Sequence, residues 1–363
     1  METLKSWYGI AVTYVNSSRK NQILFGVVIL PATLLILTRA LLRSRAPAYN
    51  KLRGGLHEEI TLPRKLKSMD IELYHNCIST CSVKVRLCLA EKRIPYVSNH
   101  IHLIETGWYE SCSPEFSLIN PGKVVPVLVF KGHPVYESDD IIEFIETKLD
   151  SYAQKKIALL SPGDKDKEAR AVEIMNRWLQ QGSTKHEEHR PTPAEEIAVL
   201  SVPIFTAMMQ YIPLRHVFYG FIYHFEMKRP FYFMMMKLLG TRFFTNPGFL
   251  KKFYHARERM SLALKELNDN LKETGGDYIC GKSFTLADVT WMPLLWRLEE
   301  TGQEKLYQQY EYVDKYWKAC KQRDSFDVAI TQVNQSFPIV AQASALLKQW
   351  RAQYPHIDDM LNP

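Results

Sequence analysis

A hydroxyl pair, Ser79-Thr80, stands between two thiols, Cys77 and Cys81, where a polar turn gives way to helical spacing. Val83, Leu87 and Leu89-Ala90 recur behind it on one apolar face, so Ser79 and Thr80 fall where a helix begins. A side chain there lies against backbone N–H groups with no intrahelical acceptor, at the positive end of the helix dipole. Such a place holds an anion, and a thiolate is one. Three uses follow from these residue types: a hydroxyl that donates to a sulfur anion, a cysteine nucleophile, or a plain N-cap.

The elements that must hold this turn are readable on both sides of it. Ile71 to Tyr74 has the alternation of a short, half-buried edge strand, and His75-Asn76-Cys77-Ile78 is a turn. A helix is expected over 79–92, a strand over 96–101, and then a loop with Trp108, Tyr109 and Pro114. The stretch Asn120-Pro121-Gly122-Lys123-Val124-Val125-Pro126 leads into a strand over 125–130, followed by one over 133–136. Tyr136-Glu137-Ser138-Asp139-Asp140 opens a helix over 138–149. A βαβ unit followed by ββα is the order of a thioredoxin-like α/β domain with helices on both faces of a mixed sheet.

Taken together, the 71–89 segment, the Val125-Pro126 pair and the Glu137-Ser138 pair resemble the glutathione transferase superfamily over roughly residues 70 to 335. Ser79-Thr80-Cys81-Ser82 is similar to the active-site run of the zeta, maleylacetoacetate-isomerase class, and Ser79 lies seven residues before Arg86, where that family has a Val-Arg pair. The resemblance implies glutathione as co-substrate and no metal. It makes Ser79 the hydroxyl that stabilises the thiolate, with Thr80 as neighbour or substitute. Cys77 and Cys81 stay open as a thiol nucleophile of the omega or glutaredoxin type. It also implies a cis Pro126 with Val125 binding the cysteinyl unit. Ser138 would hold the γ-glutamyl carboxylate, Glu137 the ammonium group, and Lys123 the glycyl carboxylate. Asp139-Asp140 departs from the family, since two carboxylates beside an anion site weaken it.

Beyond Ser161-Pro162-Gly163 the pattern turns helical, and an all-α domain is expected over 162–335. Helices are read over 169–180, 257–272 (closed by Gly275-Gly276) and 289–298, the last behind a capping box at Thr285 and Asp288. The segment 202–244 is rich in Met and aromatic residues and is broken by prolines. It reads as extra helical core, as an adaptable wall for an apolar acceptor, or as a membrane-surface patch. This insertion resembles the ganglioside-induced differentiation-associated and tetrachlorohydroquinone-dehalogenase-like branches. Residues 336–363 are taken as a C-terminal tail.

At the other end, residues 1–22 read as a tail, 23–42 as a single-pass membrane anchor, and 43–69 as a charged linker. With Arg39 snorkelling, the apolar run approaches the ~20 residues that span a bilayer. More Lys and Arg follow it than precede it, which places the thioredoxin-like domain (70–150) and its helical partner on the cytosolic side.

The bulk numbers narrow the function. The chain has 363 residues, 46% of them hydrophobic and 23% charged, enough for two globular domains. A net charge of +7 lacks the aromatic-laced basic stripe of a nucleic-acid binder. Six cysteines at these spacings read as free thiols, and His186-Glu187-Glu188-His189 is not the zinc-binding H-E-x-x-H pattern. No Walker loop and no G-x-G-x-x-G occurs. The expected function is a membrane-anchored glutathione transferase attacking an apolar electrophile, with a homodimer left open. The alternative is a non-catalytic module of the same fold, serving interaction or redox sensing.

Overall fold

A computed structural model describes residues 30–45, 50, 52–63, 69–155, 173–174, 177–178, 180 and 192–362. The N-terminal tail, the first part of the expected anchor, the His186–His189 run and most of the expected 169–180 helix lie outside the described residues.

Five strands form one sheet in the order β1-β5-β4-β2-β3. They are β1 (Gly55–Leu56), β2 (Ile71–His75), β3 (Val97–His100), β4 (Val127–Phe130) and β5 (His133–Tyr136). Only β2 and β3 run parallel, joined by helix α2 (Thr80–Glu91), while β4 and β5 form an antiparallel hairpin. This is the expected thioredoxin-like arrangement. β2, however, is interior: it pairs with β3 on one side and β4 on the other, and all five of its residues are buried. Its Glu72 sits where the polar half of an edge alternation would face water, and Tyr74 donates to its carboxylate. The connector also does more than tether, because β1 comes from it and caps the far edge against β5.

Helix α3 (Ser138–Lys148) follows β5. The helical half then contains α4 (Pro193–Leu200), α5 (Val202–Tyr211), α6 (Leu214–Tyr223) and α7 (Lys228–Leu239). It continues with α8 (Pro247–Thr274), α9 (Leu286–Glu300), α10 (Glu311–Lys321), α11 (Pro338–Gln353) and α12 (Pro355–Leu361). Helix α8 ends at Gly275, whose φ of 63° is the left-handed closure that a β-carbon would strain. Helix α9 begins with the expected capping box: the Asp288 carboxylate accepts from Thr285 N at 2.7 Å, Thr285 Oγ1 at 3.1 Å and Ile279 N at 3.0 Å. Trp178 and Trp291 meet edge to face beneath it. The stretch expected to be a tail is instead α11 and α12, with Val340, Ala343, Leu347, Ile357, Met360 and Leu361 in the core.

The expected membrane anchor is not borne out. Among the described residues no helix is long and apolar enough to cross a membrane. Helix α1 (Leu30–Arg45) has 16 residues, about 24 Å at 1.5 Å per residue, short of a ~30 Å hydrocarbon core. Its Arg39 does not snorkel to a lipid headgroup. The guanidinium donates to the backbone carbonyls of Phe221 and, at 2.6 Å, of His224, where α6 ends. A cation read as the edge of a span is thus a tertiary tie, and the cytosol-facing topology inferred from it falls with it.

Candidate active site

The turn ahead of α2 is held by buried polar groups. Asn76 Nδ2 donates to the carbonyl of Ile101 at 2.9 Å and to Thr106 Oγ1 at 3.0 Å, while its Oδ1 accepts from Ile78 N. Arg86, fully buried on α2, reaches back under the turn. It donates to the carbonyls of Asn76 and Cys77 and, across the molecule, to that of Ala329 at 2.8 Å. From α9, Arg297 donates to the carbonyl of Ile78. Five residues of backbone are therefore pinned from both halves of the chain, and the residue they present is Ser79.

Ser79 is the N-cap of α2, and its Oγ accepts from Ser82 N at 3.3 Å. A hydroxyl that accepts one N–H still has its own proton to donate. Thr80 is the first helical residue. The two thiols separate clearly. Cys77 is buried, and that desolvation pushes its pKa up to about 12, so it stays a thiol. Cys81 is half-buried and opens onto a cavity.

That first cavity, about 320 Å³, is bounded by Cys81, Asn120, Val125, Pro126, Glu137 and Ser138 among others. The Val125–Pro126 peptide is cis, as the resemblance requires. Asn120 shapes the preceding loop, donating to the carbonyl of Val124 and accepting from Gly122 N, both at 2.8 Å. Glu137 has φ 66° and Lys123 has φ 55°, left-handed backbone at two non-glycine residues beside the cavity. Ser138 is the first residue of α3. Asp139, the departure from the family, is ion-paired with the nearly buried Lys84 of α2, which offsets one of the two added charges.

Ser79 itself lines a second cavity of about 180 Å³, with Tyr109, Lys123, His224, Phe225 and Arg229. Val124 and Val125 border both spaces. Ser79 and the Glu137–Ser138 corner therefore lie on opposite sides of one peptide segment. Lys123 belongs to the second cavity, not the first. Among the described residues no group of three or more His, Cys, Asp or Glu is arranged to hold a metal.

The 202–244 segment is explained in the same place. Met209, Ile212 and Val217 of α5 and α6, with Phe233 and Met236 of α7, bury Ile104, Tyr109 and Cys112 of the thioredoxin-like half. It is thus helical core that also supplies a wall of the second cavity. Tyr109, His224 and Arg229 escaped the motif reading, which looked only near Ser79. A proline-broken aromatic stretch with flanking cations was the one available signal.

Comparison with known proteins agrees with this architecture. The N-terminal domain of glutathione S-transferases matches residues 78–148 and the C-terminal domain matches residues 243–327. Glutathione S-transferase TCHQD of Arabidopsis thaliana is 27% identical over 267 residues, covering 72% of this chain and 89% of that one. Maleylacetoacetate isomerase of Dictyostelium discoideum is 40% identical over 74 residues, 20% of this chain and 33% of its own length. The chain therefore spans only about a third of that isomerase. Among solved structures, beta-etherase LigF from Sphingobium sp. strain SYK-6 superposes with a TM-score of 0.54 at 16% identity, covering 74% of this chain and all of that one. At that identity the superposition speaks for the fold alone. With both domain families matched in their usual order and a relative aligned over most of its length, the chain belongs to the glutathione S-transferase superfamily, as a transferase-like enzyme whose co-substrate is glutathione.

Proposed function

We propose that the first cavity seats glutathione and that Ser79 keeps its sulfur ionised for attack on an electrophile in the second. A thiol with a pKa near ~8.5 is only about 3% thiolate at pH 7. Lowering that pKa by about 2 requires roughly 2.7 kcal/mol of preference for the anion. A hydroxyl donor at a helix start supplies a contribution of that order. The observation that carries the reading is that Ser79 caps α2 through an accepted bond, leaving its proton for a sulfur at the border of the two cavities. In this reading Val125 offers its backbone to the cysteinyl unit beside Pro126. Ser138 and the start of α3 take the γ-glutamyl carboxylate, with Glu137 beside its ammonium group. Thr80 shapes the first turn.

A non-catalytic module of the same fold is the rival. Its support was the pair Asp139-Asp140 at an anion site, and the Lys84 partner of Asp139 removes much of that objection. Retention on immobilised glutathione, followed by turnover of an activated chloroarene, tests the proposal. Wild type is expected to bind and turn over, and Ser79→Ala to bind but lose about 10²–10³ in kcat. Equal turnover by the two proteins removes Ser79 from the mechanism, and absence of retention favours the module.

A further inference from the structure

The second cavity is not the apolar pocket that the Met- and aromatic-rich insertion suggests. Tyr109 lines it while being 2% exposed, and its hydroxyl has no hydrogen-bond partner among the described residues. A buried polar group left unpaired is costly, so its persistence at a cavity wall points to a partner that arrives with a ligand. The ring is held in place: a β-carbon on Gly220 would fall 2.1 Å from it, so the α6 backbone presses directly on its face or edge. Burial and the nearby Glu105 carboxylate raise the phenol's pKa, which keeps it a donor.

The surrounding charge is mostly positive. Lys123 and Arg229 line the same space, and Arg39 bonds the carbonyl of His224 at its edge. His224 is held neutral, its pKa depressed to about 4 by burial first and by Arg229 next. The opposing charge is Glu105, 3.7 Å from Arg229. An O–H donor among these cations fits an anionic oxygen.

Resting on the transferase reading above, we propose that the acceptor taken by this cavity is an electrophile bearing an anionic oxygen, a carboxylate or phenolate, recognised by the Tyr109 hydroxyl with Arg229 and Lys123. Discrimination comes from ligands that leave this O–H unpaired binding less well.

The test uses 4-chloro-3,5-dinitrobenzoate and its methyl ester. In both, the glutathione sulfur bonds to the ring carbon, chloride departs with the electron pair, and the thiol proton passes to solvent. Wild type is expected to prefer the acid in kcat/KM. Tyr109→Phe should cut the acid-to-ester ratio at least about tenfold, the scale of a hydrogen bond to a charged group. Because it removes an already unpartnered hydroxyl, this variant should keep the wild-type melting temperature. Arg229→Gln should lower the ratio in the same direction. Turnover of the ester with no preference for the acid, or an unchanged ratio in both variants, overturns the inference while leaving the transferase reading intact. Turnover of neither compound overturns both.

Discussion

The first cavity takes its walls almost wholly from the thioredoxin-like half, between Cys81 and Ser138, with Leu52 at the rim. The second takes Ser79, Tyr109 and Lys123 from that half and His224, Phe225 and Arg229 from the helical insertion. One is built by local backbone geometry: a helix start, a cis proline peptide and two left-handed residues. The other is built by side chains that converge from distant segments. Glutathione recognition can therefore persist while the insertion changes, and the choice of acceptor is where this chain is free to differ from its relatives. Val124 and Val125, shared by both spaces, are the hinge of that division.

The sharpest way to break the comparison is to cut what holds both spaces in register. Arg86 ties the turn before Ser79 to the carbonyl of Ala329, far along the chain. Arg86→Leu leaves three buried carbonyls without their donor, each worth about 1–3 kcal/mol. A loss of roughly 3 kcal/mol in unfolding free energy is expected by denaturant titration, with weakened glutathione binding. If binding weakens with no loss of stability, the two halves are not coupled through this residue.

A smaller effect distinguishes the cavities directly. Cys81 lies at the first, whereas Cys77, Cys88, Cys112 and Cys320 are buried. Cys81 should therefore be alkylated ahead of those four, and glutathione at ten times its Kd should slow that reaction about tenfold through simple occupancy. An acceptor analogue without glutathione should leave the rate unchanged. Protection by the analogue instead would place both ligands in one space.

The same contrast explains what was legible in the chain. The strand–turn–helix, the proline peptide and the Glu137-Ser138 corner each depend on neighbours within a few residues, so pattern reading recovers them. Tyr109 and Arg229 are adjacent only because α6 and α7 fold over the 104–112 loop, and no local spacing encodes that. The apolar run around α1 misleads for a related reason. Hydropathy takes Arg39 as the end of a span, while its bonds to the carbonyls of Phe221 and His224 make it part of a packed helix. The final helices escape because their apolar residues are spread over a mixed, weakly patterned stretch whose partners lie elsewhere in the core. Asp139 looked hostile to an anion until its partner Lys84, on another helix, was in view.

The central claim is that Ser79 holds the bound sulfur as an anion, and ultraviolet titration of the thiolate in the glutathione complex tests it most directly. Wild type should show the bound thiol ionising about 2 below the ~8.5 of a free thiol, with Ser79→Ala returning most of the way toward it. A thiol pKa in the wild-type complex equal to that of free glutathione, or one unchanged by the substitution, would contradict the account.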